Sequence, residues 1–259
     1  QNDMNKNFLI SGTLLAMIGL MAYGSNPLEK EIKSSAETSS HVKVDFAAVN
    51  FVYDVDSRFL KTITKTQASD ARTLYNLFSK EEIAGMSAFR DMKITVLSPE
   101  NEQSAKSASG DFTSTQMKLL AAAPYSSNFS VEAFCTFQNP YTGKAENYNF
   151  VYYMTIVPEK EAVYSAGNEG LLNYLKMNSN FDILGVTKEQ LSAGKVHFVV
   201  SKNGQIKNVR LGSSSGYDKI DARMMELIAS LPEKWEPATN AKGDNVDQEL
   251  VFSFGTMGC

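Results

Sequence analysis

Few residues of this chain are of a type that could do chemistry. It has two histidines, His41 and His197, and two cysteines, Cys135 and Cys259. The cysteines lie far apart, so no CxxC metal or redox motif is present. Two assignments fit them. One is a thiol buried in a strand and a second at the end of the chain; the other is a single disulfide between Cys135 and Cys259, which requires an oxidising compartment. His197 alternates with Val196 and Phe198 in a strand-like run. Its ring therefore faces solvent or the opposite side of a sheet, not a reaction centre. Gly212-Ser213-Ser214-Ser215-Gly216 has the composition of a nucleophile turn, but no histidine or acid is placed to activate a serine. It reads as a turn into a helix, where Asp218 and Asp221 favour the macrodipole. HExxH, phosphate-loop, GxSxG and dinucleotide glycine patterns do not occur in the sequence. The expectation is a protein that is not an enzyme and uses no metal and no cofactor.

Binding is the remaining class of function, and charge narrows the partner. The 259 residues are 43% hydrophobic and 21% charged, which is globular, and the formal net charge is −4. A mildly acidic chain without a Lys/Arg cluster is a poor ligand for nucleic acid, so the expected partner is protein. The length suffices for two ordinary domains, each with its own core.

Phe8–Tyr23 (FLISGTLLAMIGLMAY) carries no charge. As a helix it would span about 24 Å, slightly less than the ~30 Å hydrocarbon core. A single membrane anchor, a signal peptide with Lys6 as its charged region and Ala22-Tyr23-Gly24 as its cleavage site, and a buried core helix all fit. The anchor fits best, and Lys6 favours an N-terminus on the inner side. The first segment is thus 1–24, an N-terminal anchor. Residues 25–41 are polar and Ser-rich and read as a linker.

Residues 42–158 read as a β-rich extracytoplasmic domain. Strand-like runs occupy 42–54, 92–97, 128–137 and 147–157. In the third, Phe129, Val131, Ala133, Cys135 and Phe137 alternate onto one face. Asn139-Pro140-Tyr141-Thr142-Gly143 separates the last two runs as a turn. Helical spacing of Ala71, Leu74, Leu77 and Phe78 predicts a helix over 67–80. A second helix is expected over 113–123, with Asp111 or Thr113 as its N-cap and Gln116 three residues after Thr113. The run GDFTSTQMKLLAAAP and the paired strands after it resemble repeats in the periplasmic shaft protein of the gliding and type IX secretion motor. That resemblance implies a β-rich extracytoplasmic module; the alternative is a β-rich α+β domain of unassigned purpose.

Residues 159–168 mark a boundary, and 159–259 read as a C-terminal domain. A short helix over 169–178 buries Leu171, Leu172 and Leu175. Val196, Phe198 and Val200 alternate, Asn203-Gly204 supplies a pair favoured by a two-residue type I′ turn, and the return strand begins near Ile206. Ile220, Met224, Leu227, Ile228 and Leu231 form one stripe of a helix over 217–231, which Pro232 ends. A last strand over 246–254 places Val246, Gln248, Leu250, Phe252 and Phe254 on one face. The fold class is α+β, with a small antiparallel sheet backed by two helices in this domain.

Here the order of pieces is similar to TonB C-terminal domains of the Bacteroidetes type. The residues that carry the resemblance are Gly194, Val196, Phe198, Val199, Val200, Gly204, Ile206, Val209, Ser214, Ser215, Gly216, Asp221, Leu231, Pro232, Trp235, Pro237 and Ala238. The lead-in Gly170-Leu171-Leu172-Asn173-Tyr174-Leu175 fits as well. The resemblance spans residues 160–255. It implies a protein held in the inner membrane through Phe8–Tyr23, with its bulk in the periplasm. Such a protein binds an outer-membrane receptor or envelope-complex protein and transduces energy to it from a proton-channel motor. In the family an extended partner segment adds to the edge of the last long strand. That edge maps onto Val246, Asp247, Gln248, Glu249, Leu250, Val251, Phe252 and Ser253. The plainer alternative makes Asp247 and Glu249 charges that guard an ordinary edge from aggregation. Two departures concern the role. The anchor has only Ser11 and Thr13 as polar residues and lacks the family's histidine, and a folded domain stands in place of the Pro-rich spacer. They favour a second role, a structural or accessory subunit of an envelope secretion or motility complex that uses this domain for docking.

Overall fold

Alternating apolar runs and two Thr-x-x-Gln capping boxes divide the chain into its elements. The structure is a computed structural model and describes residues 51–56, 59, 61–98, 101–179 and 191–256. In chain order these hold β1 (Val52–Asp56), β2 (Thr62–Thr64), α1 (Lys65–Asp70), β3 (Met86–Leu97), β4 (Gln103–Ser109), α2 (Ser114–Ala122), β5 (Asn128–Gln138) and β6 (Ala145–Val157). There follow β7 (Val163–Tyr164), α3 (Gly167–Asn178), β8 (Ala193–Val200), β9 (Ile206–Ser213), α4 (Asp218–Ala229), β10 (Trp235–Glu236), β11 (Ala238–Thr239), β12 (Asn245–Val246) and β13 (Gln248–Gly255). The fold is α+β. Phe8–Tyr23 and the linker 25–41 lie outside the described residues, and among those described no helix is long and apolar enough to cross a membrane.

The first sheet has the order β2-β6-β5-β3-β4, antiparallel except for the β2–β6 pair. One face of β5 turns Phe129, Val131, Ala133 and Cys135 inward, against Phe150, Met154 and Ile156 of β6. Helices α1 and α2 cover this face with Ala68 and Leu120. Each begins with a capping box. The Thr64 and Thr113 hydroxyls accept from the N–H groups of Gln67 and Gln116, whose side chains accept in return from the threonine N–H groups. Gln116 is fully buried, and its amide also donates to the Ala105 carbonyl at 3.3 Å, fixing α2 to β4. Lys65 donates to the Ala121 carbonyl at 2.7 Å and to that of Ala123, closing the C-terminus of α2 where a cation is favoured.

The helix expected over 67–80 is broken. The α-helix ends at Asp70, Ala71 is extended, and only a 3-10 turn at Leu74–Asn76 follows. Arg72 and Leu74 instead bond to Phe112 and Gly110, at 2.8 Å each, so the chain is diverted toward the start of α2. The apolar residues that suggested a continuous helix, Ala71, Leu74, Leu77 and Phe78, are nevertheless all buried.

The second sheet has the order β1-β13-β8-β9 and is antiparallel throughout. Val196, Phe198 and Val200 share its inner face with Leu250, Phe252 and Phe254. Leu171 and Leu175 of α3 and Ile220, Met224, Leu227 and Ile228 of α4 close that core. The described end of the run 42–54, expected with the middle segment, belongs to this sheet. Tyr53 and Val55 of β1 face Phe254 and Phe252 across the ladder.

The β8–β9 turn also differs from its expectation. Ser201 accepts from Gly204 N–H at 2.8 Å and donates its own N–H to the Gln205 carbonyl at 2.9 Å. Gly204 has φ +74°, while Asn203 is not in the positive-φ region. This is a longer loop with a single left-handed glycine, not a two-residue type I′ turn, which needs two such residues. A Cβ at Gly204 would lie 2.3 Å from the Trp235 carbonyl oxygen. Gly143, in the β5–β6 turn, has φ +67° with open space around it. Gly204→Ala is therefore expected to cost well above the roughly 1–2 kcal/mol of left-handed strain alone, and Gly143→Ala about that strain. Urea denaturation of both variants checks this; equal losses would show that the Trp235 contact does not matter.

Candidate partner-binding edge

The eight residues expected to receive a partner are distributed along more than one strand. Val246 belongs to β12 and pairs with Ala238. Asp247 lies between strands and holds the β8–β9 loop: it accepts from Lys202 N–H and from Lys207 Nζ, each at 2.7 Å. Gln248, Glu249, Leu250, Val251, Phe252 and Ser253 are in β13. Leu250 and Phe252 enter the core, and Val251 is buried on the opposite face.

Alternation of the ladder turns the backbone groups of Gln248, Leu250, Phe252 and Phe254 toward β8, and those of the odd-numbered residues outward. The outward side is not an open edge, as the sequence expectation had it. Over residues 251–255 it is paired with β1, Val251 opposite Asp56, Ser253 opposite Asp54 and Gly255 opposite Val52. Ahead of β1, Glu249 donates its N–H to Ser126 Oγ at 2.9 Å. Ser126 takes the left-handed conformation, φ +64°, in doing so. The Gln248 side chain is buried and reaches sideways, accepting from Ala162 N–H at 2.7 Å and donating to Glu161 at 2.6 Å. The physical reason is simple: buried N–H and C=O groups must be bonded, and here the chain supplies the partners itself.

Aromatic contacts hold β1 in place. Tyr53 stacks on Phe252 with centroids 6.2 Å apart, and Phe51 on Phe254 at 6.5 Å. The Tyr53 hydroxyl shares a 2.5 Å hydrogen bond with Ser179 Oγ just beyond α3. Burial raises the Tyr53 pKa, so the phenol stays neutral.

Glu249 is not a free guarding charge. Its carboxylate accepts from His197 Nδ1 at 3.0 Å and from Arg210 at 2.7 Å, across β13, β8 and β9. His197 is on the face of the sheet opposite the helices, one of the two places the alternation allowed. Gly212 of β9 makes room for it: a Cβ there would lie 2.4 Å from the imidazole. This cluster lines a groove of about 1180 Å³, whose other wall includes Val96, Leu97 and Leu119. Sequence reasoning missed the cluster, because it depends on register between strands; alternation had allowed the outer face for His197 alone, and Arg210 carried no local signal.

Cys135 is a free, buried thiol whose pKa is raised by burial, and Cys259 lies outside the described residues, as does His41. Among the described residues no group of His, Cys, Asp and Glu is arranged to hold a metal ion.

The hydrogen bond from Lys207, then that from Lys202, holds Asp247 below its usual carboxylate range. His197 does the same for Glu249, against burial and with help from the charge of Arg210. A carboxyl with a depressed folded-state pKa adds stability above its unfolded value of about 4, and loses it as pH falls through the lower folded value. The urea midpoint should therefore fall as the pH is taken below about 4. Asp247→Asn and Glu249→Gln should each flatten that slope. An acid slope unchanged in the double variant would disprove the assignment.

Residues 193–255 match the family described as Gram-negative bacterial TonB protein C-terminal. The match runs from the first residue of β8 to the last of β13, so this segment is a TonB C-terminal domain. It leaves β1 and α3 outside. No curated protein and no solved structure matches the chain.

Proposed function

We propose, from the premise that residues 193–255 are a TonB C-terminal domain, that this is a membrane-anchored envelope protein that engages an outer-membrane partner by strand addition. The partner's extended segment lies along the outer side of β13, over Glu249–Gly255, and the linkage transmits energy from the inner membrane. One observation carries this reading. An extended strand, β1, already lies there, and it comes from outside the family-matched segment. The matched segment taken alone thus has β13 as an edge that accepts a strand, and β1 supplies one in cis. Strand addition rests on main-chain bonds, so one strand can replace another at modest cost in specificity. The partner segment exchanges with β1.

A second reading, an accessory subunit of an envelope secretion or motility complex, is favoured by the middle of the chain. Residues 61–157 build a five-stranded sheet with two helices instead of an extended spacer. A domain of that shape spans less distance than an extended chain of the same length.

Asp54→Pro separates strand exchange from a permanent β1. Asp54 faces Ser253 in the ladder, and proline there removes a donor to β13. Losing about 1 kcal/mol from the competing strand should raise capture of the partner roughly fivefold. The readout is photocrosslinking in intact cells from a reactive residue at position 253. The expected product joins this chain to an outer-membrane protein and is stronger in the Asp54→Pro background. Crosslinks confined to the chain itself in both backgrounds would refute strand exchange.

A further inference from the structure

The groove beside the His197–Glu249–Arg210 cluster is lined from both sheets. Its walls come from the end of β3, from α2 and the loop after it, and from β8, β9 and β13. Val96, Leu97, Leu119 and Pro124 make one side apolar. Leu211 of β9 adds a further apolar side chain, 39% exposed. The volume of about 1180 Å³ admits a small organic molecule, and sites for such molecules are mostly apolar with a few placed polar groups.

The polar groups left over in this groove are donors. Asn128 begins β5 and is only 8% exposed, yet it lines the groove. Thr155 decides which end of its amide is free. The Thr155 hydroxyl accepts from Phe59 N–H at 3.2 Å and donates to Asn128 Oδ1 at 2.8 Å. Asn128 Nδ2 is left without an acceptor among the described residues, whereas buried donors are ordinarily paired. Lys195, half-buried on the outer face of β8, has no ion pair and no side-chain hydrogen bond among the described residues. Ser126 Oγ accepts from Glu249 N–H at 2.9 Å, and its own O–H has no acceptor there. Glu249, the one acid of the lining, is occupied: it accepts from His197 and from Arg210, whose charge neutralises it. The positive charge of Lys195 is the one left over.

We infer that this groove binds a small monocarboxylate with an apolar chain, a ligand of the fatty-acid type. The carboxylate accepts charge-assisted hydrogen bonds from Lys195 Nζ and from Asn128 Nδ2. The chain lies along Val96, Leu97, Leu119 and Leu211, where burial of methylene groups supplies affinity. Two observations select this occupant. One uncompensated cation matches a monoanion; a phosphate dianion would keep a charge without a counter-charge. The free groups of Lys195, Asn128 and Ser126 each offer a hydrogen, so they match a ligand with acceptors and no donors. An extended peptide would bring an N–H group with nearly every residue, and the carboxylate that could receive one, Glu249, is already bonded. Asn101 and Gln103, whose amides could also accept, stand at the exposed rim.

The test uses the full chain in detergent and octanoate with a terminal trifluoromethyl group, whose fluorine resonance broadens on binding. Variants titrated in the same detergent cancel partition of the probe into micelles. The wild type should broaden the line saturably, and plain octanoate should displace the probe. The uncharged amide of the probe should bind at least about tenfold more weakly. Lys195→Met retains the stem and removes the charge. Asn128→Asp retains an oxygen for Thr155 and puts a like charge in place of the free donor. Each should weaken binding of the probe at least about tenfold, with circular dichroism unchanged. Should Asn128→Asp disturb the fold, Lys195→Met decides. The inference is overturned by broadening no greater than empty micelles give, by equal affinity for the amide, or by a Lys195→Met variant that binds as the wild type does. Displacement of the probe by acetyl-trileucine at lower concentration than by octanoate would also overturn it and make the groove a peptide site. Positions 128 and 195 make no bond to the outer side of β13, so failure here and failure of strand exchange there are separate results.

Discussion

The outward-facing N–H and C=O groups of β13 need partners, and the way they are met organises the C-terminal half of the molecule. Three distant segments converge on this one strand. β1 bonds its second half, Ser126 bonds Glu249 N–H, and the loop at Glu161 and Ala162 takes up the Gln248 side chain. An unmet buried donor or acceptor costs about 1–3 kcal/mol, comparable with the net value of several ladder bonds. Satisfying this edge is therefore reason enough for residue 126 to adopt a left-handed conformation without being glycine. It is also reason enough for a strand from before the first sheet to cross to the second.

The same requirement explains why the two faces of β13 differ. Toward the helices, Leu250, Phe252 and Phe254 contribute to an apolar core. On the other face Glu249 joins His197 and Arg210 while Val251 is buried. The charged cluster sits at the junction with the first sheet, where Ser126 also lies. A pair of this kind, only partly exposed, is screened less by salt than a surface ion pair and orients two strands and a loop at once.

Local features were legible in the sequence. The Thr113–Gln116 box gave the start of α2, and alternation in 128–137 gave the inward face of β5. The 3.6-residue spacing of Ile220, Met224, Leu227 and Ile228 gave the buried stripe of α4. Each rests on residues within a few positions of one another. Features that depend on competition or register were not legible. The helix through Ala71 is interrupted because residues near 110 offer Leu74 and Arg72 other partners. β4 is not among the strand-like runs of the sequence, because QSAKSAS has one buried residue and so no apolar alternation. The Asn203-Gly204 pair signalled a hairpin but not its loop, since Asn203 can also occupy an ordinary right-handed position. The mapped partner edge of β13 was found as a strand. That it carried β1 was not foreseeable, because nothing local connects residues 52–56 with 251–255.

That long separation in sequence has a consequence for biogenesis. β1 is among the first described elements to be synthesised, and its partner strand is the last. Until residues 248–255 have been made, β1 has no ladder to join, and once they are made β13 has an unmet side until β1 returns. Loop closure over nearly the whole chain makes this pairing a slow, late event. In the order of synthesis the local hairpins β5–β6 and β8–β9 are complete before β13 is made, while β1 still has no ladder to join. At that stage a chaperone or a membrane-delivered companion would meet the same bare ladder that the mature protein keeps covered.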